Sequence, residues 1–397
     1  MSGDRYQLEV PAFGIHFEAD RLRREHHELF GELTVRCALP GARVINGCLN
    51  TAEFNFSSVR ARQDRAKLLK ERANTNGEPD WFGLLEEFCQ RVFAAEREGQ
   101  PAIDLREMPR PQRDDEIKIS GLVFPSRHPA ILFGDGGAAK SYTALWLAGL
   151  LAERGMGVAL FDWELSGEDH RDRLERLFGA AMPKVLYCRC ERPLSAEADR
   201  LRRIVRDGNI TYAIYDSVAF ACDGRPEDAE VAGRYFRAVR SIGCGSLHIA
   251  HITKGEDNDR RPFGSAFWHN GARATWFVQA VEPGSDKESA LRLGFFNRKA
   301  NLGALQPAVS LVARFTADRT EFTRADVADT PDLASKLSIR RRMVHLLKRG
   351  SMTRDEIAEA LEAQPDTIDR TGRRHKETFI LLAGGRIGLL EGVAKRA

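Results

Sequence analysis

The hydrophobic pattern changes character along the 397 residues. In the first hundred, apolar and polar positions alternate over 6–17, 28–38 and 53–57, the period of half-buried strands. Residues 59–72 and 81–97 repeat instead at helical spacing, so 1–100 is expected to form an α+β domain. Pro101, Pro109 and Pro111 stand among many charges, and 101–116 reads as a linker. From 117 to 317, short apolar runs alternate with helical stretches, the pattern of a mostly parallel sheet flanked by helices. A polar stretch, 318–336, reads as a second linker. The last unit, 337–397, carries three short helical patterns and then two apolar strands around Ala383-Gly384-Gly385.

Composition narrows the class. Hydrophobic residues make up 43% and charged residues 29%, ordinary values for a soluble globular protein. No apolar run reaches the roughly 18 residues that span a bilayer, and MSGDRYQLEV lacks the layout of an export signal, so a cytoplasmic protein without a membrane partner is expected. Seven scattered cysteines include no CxxC, as suits a reducing compartment. Cys188 and Cys190 form a CxC on an expected strand, where buried free thiols are the simpler reading than a metal site. The adjacent His26 and His27 are too isolated for a metal claim. The net charge of +3 is unevenly spread: Lys and Arg outnumber Asp and Glu after residue 335, and the rest of the chain is slightly acidic.

The most specific chemistry lies at Gly134-Asp135-Gly136-Gly137-Ala138-Ala139-Lys140-Ser141. An apolar strand precedes it, and an apolar helical stretch follows from Tyr142. That is the context of a phosphate loop, which cradles phosphates with backbone N–H groups at a helix N-terminus. ATP and Mg²⁺ are the expected cofactors: Lys140 reaches the β- and γ-phosphates, and the Ser141 hydroxyl ligates the cation. Ala139 departs from the usual pattern G-x-x-x-x-G-K-[ST], which has glycine there.

Downstream strands end in polar groups. LFDWE places Glu164 at the sheet edge where ligands of such folds bind, as general base, with Asp162 as a second choice. AIYDS closes on Asp216, expected to help hold Mg²⁺. IAHITK brings His251 as a γ-phosphate sensor, whereas His248 is expected to pack inside the sheet. Each also has a plainer reading, as a strand-end cap or a structural side chain.

FGDGGAAKS, LFDWE, AIYDS, IAHITK and FGSAFWHNGAR, in that order, resemble the RecA-superfamily ATPases over roughly 117–315, in particular the RepA-like hexameric replicative helicases. The resemblance implies a RecA-like fold, ATP hydrolysis and a homo-oligomeric ring with nucleotide between subunits. It also implies a cation supplied by a neighbour. Phe296–Gly303 is similar to the K-x-R-x-G stretch of ring helicases: Lys299 matches the lysine, but Asn301 stands at the arginine, so Arg298, Lys299 and Arg273 are all candidates. Loops after the sensor strand face nucleic acid in such proteins, which brings in Lys254, Arg260 and Arg261 for single-stranded DNA.

The C-terminal unit resembles a winged helix-turn-helix. Thr353 and Glu356 form an expected capping box, and Pro365 opens the third helix. Arg370, Arg373, Arg374 and Lys376 lie along that helix, the one such units place in a duplex major groove. Protein docking is the rival reading. The expected function is an ATP-driven helicase or DNA-remodelling motor; the alternatives are a nucleotide-switched DNA-binding regulator or adaptor, and a defence or signalling NTPase.

Overall fold

The computed structural model describes residues 5–74, 77–98, 102–109, 116–252, 262–264, 266–281, 290–301, 303–327, 337–348 and 350–390. Two compact units divide at Arg110. In the first, β1 (Arg5–Val10), β2 (Ile15–Glu25), β3 (Glu28–Cys37) and β4 (Cys48–Asn55) form an antiparallel meander. Alternation along β3 buries Leu29, Leu33, Val35 and Cys37 and leaves Glu28 and Arg36 in water. Helices α1 (Val59–Ala73) and α2 (Trp81–Glu98) cover the apolar face, with Phe88 stacked 5.5 Å from Phe17. Ser58 caps α1 by accepting from the Ala61 N–H.

The second unit opens with a hairpin, β5 (Glu116–Ile119) and β6 (Leu122–Pro125). There follow β7 (Pro129–Gly134), α3 (Lys140–Glu153), β8 (Val158–Asp162), α4 (Gly167–Phe178), β9 (Val185–Arg189), α5 (Leu194–Asp207), β10 (Tyr212–Asp216), the short α6 (Val218–Ala221), α7 (Ala229–Ile242) and β11 (Gly245–His251). After α8 (Ala266–Gly271) come β12 (Ala274–Val281), β13 (Ala290–Ala300), β14 (Val309–Phe315) and β15 (Thr320–Ala325). The nine strands form one sheet, β15-β14-β13-β12-β7-β11-β10-β8-β9. The six from β12 to β9 run parallel, and the remaining three are antiparallel.

The parallel strands are buried on both faces, so their sequences are continuous apolar runs. In β7, Ala130 and Leu132 enter the layer under α3, while Ile131 and Phe133 enter the layer under α5 and α7. Because β7 lies between β11 and β12, the strand entering the phosphate loop sits centrally, where open α/β sheets bind ligands. This is a mixed α/β fold, a mostly parallel sheet flanked by helices. Two expectations change in detail. The 318–336 linker contributes β15, whose Phe322 stacks on Trp146 of α3 at 4.8 Å. The expected hairpin end at 296–303 starts inside β13, which runs to Ala300.

The chain ends with α9 (Ile339–Leu347), β16 (Met352–Thr353), α10 (Arg354–Ala360), α11 (Pro365–Arg374), β17 (Phe379–Leu382) and β18 (Arg386–Leu389). The strands form a sheet ordered β16-β18-β17. Met343, Leu347, Ile357, Ile368, Phe379 and Ile387 make the core. The Thr353–Glu356 capping box is present.

Candidate nucleotide site

The site is assembled at the C-terminal edge of the parallel strands. Gly134 ends β7 against β12 so closely that a Cβ there would lie 2.3 Å from the Val278 carbonyl oxygen; only glycine fits. The loop then rises to Ala139, which caps α3 in the left-handed region (φ 49°, ψ 30°). Thr143 makes the first intrahelical bond, to the Ala139 carbonyl. The N–H groups of Lys140, Ser141 and Tyr142 therefore point out of the helix end, where anions bind. Asp135 accepts the Gly136 N–H at 2.8 Å. Gly137 takes a positive φ of 74°, and Ala138 is buried against the core. The Tyr142 ring packs on Phe315 and under Arg173, so its part at the site is its backbone N–H.

Lys140 is 6% exposed and folds back on its own loop, donating to the carbonyls of Gly134 (3.2 Å) and Asp135 (2.6 Å). Burial pushes its ammonium below the usual lysine value, partly offset by Asp216, Asp135 and Glu164. Asp216 ends β10 at 2% exposure. Burial raises its carboxyl to about 6, although the Ser141 hydroxyl bonded to it pulls the other way. Its Oδ1 is buried without a hydrogen-bond partner. A buried carboxylate oxygen lacking a donor, beside a serine hydroxyl, suits a hard cation with oxygen ligands. Ser141 and Asp216 are thus the residues that would hold Mg²⁺.

His251 ends β11 in register with Gly134. Burial lowers its imidazole, and the Lys140 charge lowers it further, which keeps the ring neutral near pH 7. His248 is fully buried, bonded to Tyr235 and Ser246 at 2.8 Å each and stacked on Tyr215, with burial driving it down to about 3. It packs in the sheet, as expected.

Glu164 is exposed at the tip of β8, and its charge is felt by Lys140, Asp216 and His251. Asp162, the second choice for base, is corrected. It is fully buried and accepts from the N–H groups of Glu164 (3.1 Å) and Leu165, from the Tyr187 hydroxyl (3.1 Å) and from Arg189 (3.2 Å). Burial alone would raise its carboxyl. His170, 3.4 Å away at an angle short of a hydrogen bond, and the backbone donors outweigh that and hold it below the usual value. This carboxylate organises a turn.

The three candidate finger cations lie elsewhere. Arg273 is exposed and donates its N–H to Pro129, the first residue of β7. Five strand steps of about 3.3 Å put that end roughly 16 Å from Gly134. Lys299 pairs with Thr275 and Asn297 with Trp276, which leaves Arg298 as the extra residue of a β-bulge. Its guanidinium lies over Phe277 and Phe296 at 5.6 and 5.5 Å. Arg273 therefore lies at the strand end opposite the chain's own phosphate loop, whereas Lys299 is level with Ile131 and Arg298 bulges between the rows of Ile131 and Leu132, partway along β7. Lys299 is engaged further: its Nζ donates to the carbonyls of His269, Asn270 and Ala272 at the end of α8. Sequence reading missed Asn297, whose buried amide fastens the bulge by donating to Thr275 and Lys299 carbonyls.

Lys254, Arg260 and Arg261 fall outside the described residues. Arg370, Arg373, Arg374 and Lys376 are exposed on and just after α11, and none has a carboxylate partner among the described residues. The cysteines are free thiols, and no metal-ligating cluster occurs among the described residues.

No family model and no curated protein matches the chain. Among solved structures, the KaiC-like protein PH0186 of Pyrococcus horikoshii OT3 superposes with a TM-score of 0.39 at 14% identity, covering 49% of this chain and 91% of that one. The ATPase domain of G40P gives a TM-score of 0.39 at 11% identity, covering 51% and 86%. Likenesses this distant carry no argument about activity. Strand order and loop geometry make residues 116–327 a mostly parallel α/β domain with a glycine-rich loop between β7 and α3.

Proposed function

We propose that this chain binds Mg·ATP at 134–141 and hydrolyses it as a subunit of a homo-oligomer acting on DNA, in the manner of a ring helicase or DNA-remodelling motor. One observation carries the reading. Lys140, Ser141, Asp216, His251 and Glu164, from four separate elements, meet at one sheet edge around outward-pointing N–H groups and an unpartnered buried carboxylate oxygen. The N–H groups and Lys140 hold the phosphates, and Lys140 exchanges its loop carbonyls for phosphate oxygens. The cation between Ser141 and Asp216 neutralises phosphate charge when bound. Glu164 orients a water and accepts its proton as the γ-phosphoryl transfers, and neutral His251 donates toward the released phosphate. Arg298 or Arg273 reaches the γ-phosphate of a neighbouring subunit. DNA engages the α11 cations and the loop bearing Lys254, Arg260 and Arg261.

ATPase assays on wild type and Lys140→Ala, with and without single-stranded DNA, test this. Turnover should rise several-fold with DNA and vanish in the variant; DNA-independent turnover sinks the motor. One feature favours the adaptor reading. Strand β17 exposes Leu381 by 74% with Ile380 and Leu382 beside it, and the wing's Arg386 is tied to Ser351. An apolar exposed strand whose one neighbouring arginine is tethered suits a protein partner better than a phosphate backbone.

A further inference from the structure

We propose that Arg189 and Tyr187, at the end of edge strand β9, are positioning residues for hydrolysis: they clamp the turn that carries Glu164. The proposal rests on Glu164 being the base. Arg189 Nη1 donates to the Leu165 carbonyl at 2.7 Å and to Asp162 Oδ2 at 3.2 Å. The Tyr187 hydroxyl bonds the same two acceptors at 3.2 and 3.1 Å. Asp162 in turn accepts the Glu164 N–H, so the backbone of the base is fixed through a carboxylate held by β9. The Glu164 side chain itself is exposed, and what aims it is this turn.

The clamp is braced from behind. Arg200 Nη2 donates to the Arg189 carbonyl at 2.8 Å while its Nε bonds Glu197, which is 3% exposed. The Cys190 N–H donates to the Asp162 carbonyl at 2.8 Å. The Tyr187 ring lies so close over Gly167 that a Cβ there would be 2.9 Å from it, which seats the ring against the start of α4. Every residue of this clamp lies outside the phosphate loop, so loosening it should leave nucleotide binding intact and misplace the base.

Steady-state ATPase and fluorescent-nucleotide binding of full-length wild type, Arg189→Ala, Arg189→Lys, Tyr187→Phe and Glu164→Gln test it, each variant checked by thermal melting. Arg189→Ala should lower kcat about 10- to 100-fold, the cost of misplacing a catalytic group by around an ångström, with KM and nucleotide affinity within about twofold. Arg189→Lys should recover part of kcat, and Tyr187→Phe, which removes one oxygen, should lower it several-fold. A plain staple for the edge strand would lower the melting temperature without this split. Wild-type kcat in both Arg189→Ala and Tyr187→Phe, with Glu164→Gln dead, overturns the clamp and leaves the base in place; if Arg189→Ala does not fold, Tyr187→Phe decides alone. Full turnover in Glu164→Gln overturns the base assignment and the clamp with it.

Discussion

Ala139 holds a methyl group in a backbone conformation that costs an L-residue about 1–2 kcal/mol relative to the right-handed helix. Glycine at that position would escape most of this cost at some loss of chain entropy. Ala139→Gly should therefore raise the unfolding free energy by up to about 1 kcal/mol, read as a higher urea midpoint at unchanged slope, and tighten rather than weaken ATP binding. The loop closes around alanine all the same, because Gly134 and Gly137 meet the other two demands, close approach and positive φ. Asp216 gives a pH dependence. Its carboxyl stands at about 6 when folded against an ordinary 3.8, so the folded state binds that proton more tightly. Its contribution to stability is complete below the ordinary value and lost as pH rises through about 6. Without Mg·ATP, Asp216→Asn should be more stable than wild type in urea at pH 7, the gap narrowing toward pH 4. In the wild type, Mg²⁺ uptake should weaken below about pH 6, as the proton competes for the carboxylate; calorimetry across that range checks the sign.

At the scale of elements, the sequence carried some things in full and others not at all. β7, β8 and β10 were legible because burial on both faces leaves uninterrupted apolar runs. β15 was not: four of its six residues, Thr320, Glu321, Thr323 and Arg324, are polar, as an edge strand permits, so it reads as linker. The bulge at Arg298 left no trace in composition, since a register shift belongs to the pairing of two strands and not to either one. Asp162 stood as second choice to Glu164 because both are strand-end carboxylates; what separates them is the cluster of donors from Tyr187, Arg189 and the turn. On α11, replacing Arg370, Arg373 and Arg374 with Gln should lower duplex affinity at all sequences. The slope of log affinity against log salt should fall by about one for each phosphate no longer neutralised by an arginine. Unchanged affinity and slope would give this helix to a protein partner.

For the whole molecule, the proposed function makes the nucleotide site one that two copies share. The phosphate loop opens at the end of β7 where Gly134 lies, Arg273 lies at the other end, and Arg298 lies between, level with Ile131 and Leu132; under the proposed function a neighbouring copy supplies the finger. Lys140→Ala and Arg298→Ala proteins, each inactive alone, should thus regain part of the ATPase activity when mixed. Arg273→Ala should complement Lys140→Ala in the same way if it supplies the finger. Failure of both mixtures would exclude a shared site. Lys299 behaves differently: its three carbonyl bonds close the end of α8, so Lys299→Met should destabilise the fold by about 1–3 kcal/mol whatever it does to turnover, read as a lower urea midpoint.

A shared site has a corollary for how the protein behaves when scarce. Under the proposed function, hydrolysis per molecule should not be a constant but should fall away on dilution, because an isolated copy would lack the cation that a neighbour supplies. Crowding copies together, on a polymer or simply at high concentration, would then be what turns the engine on.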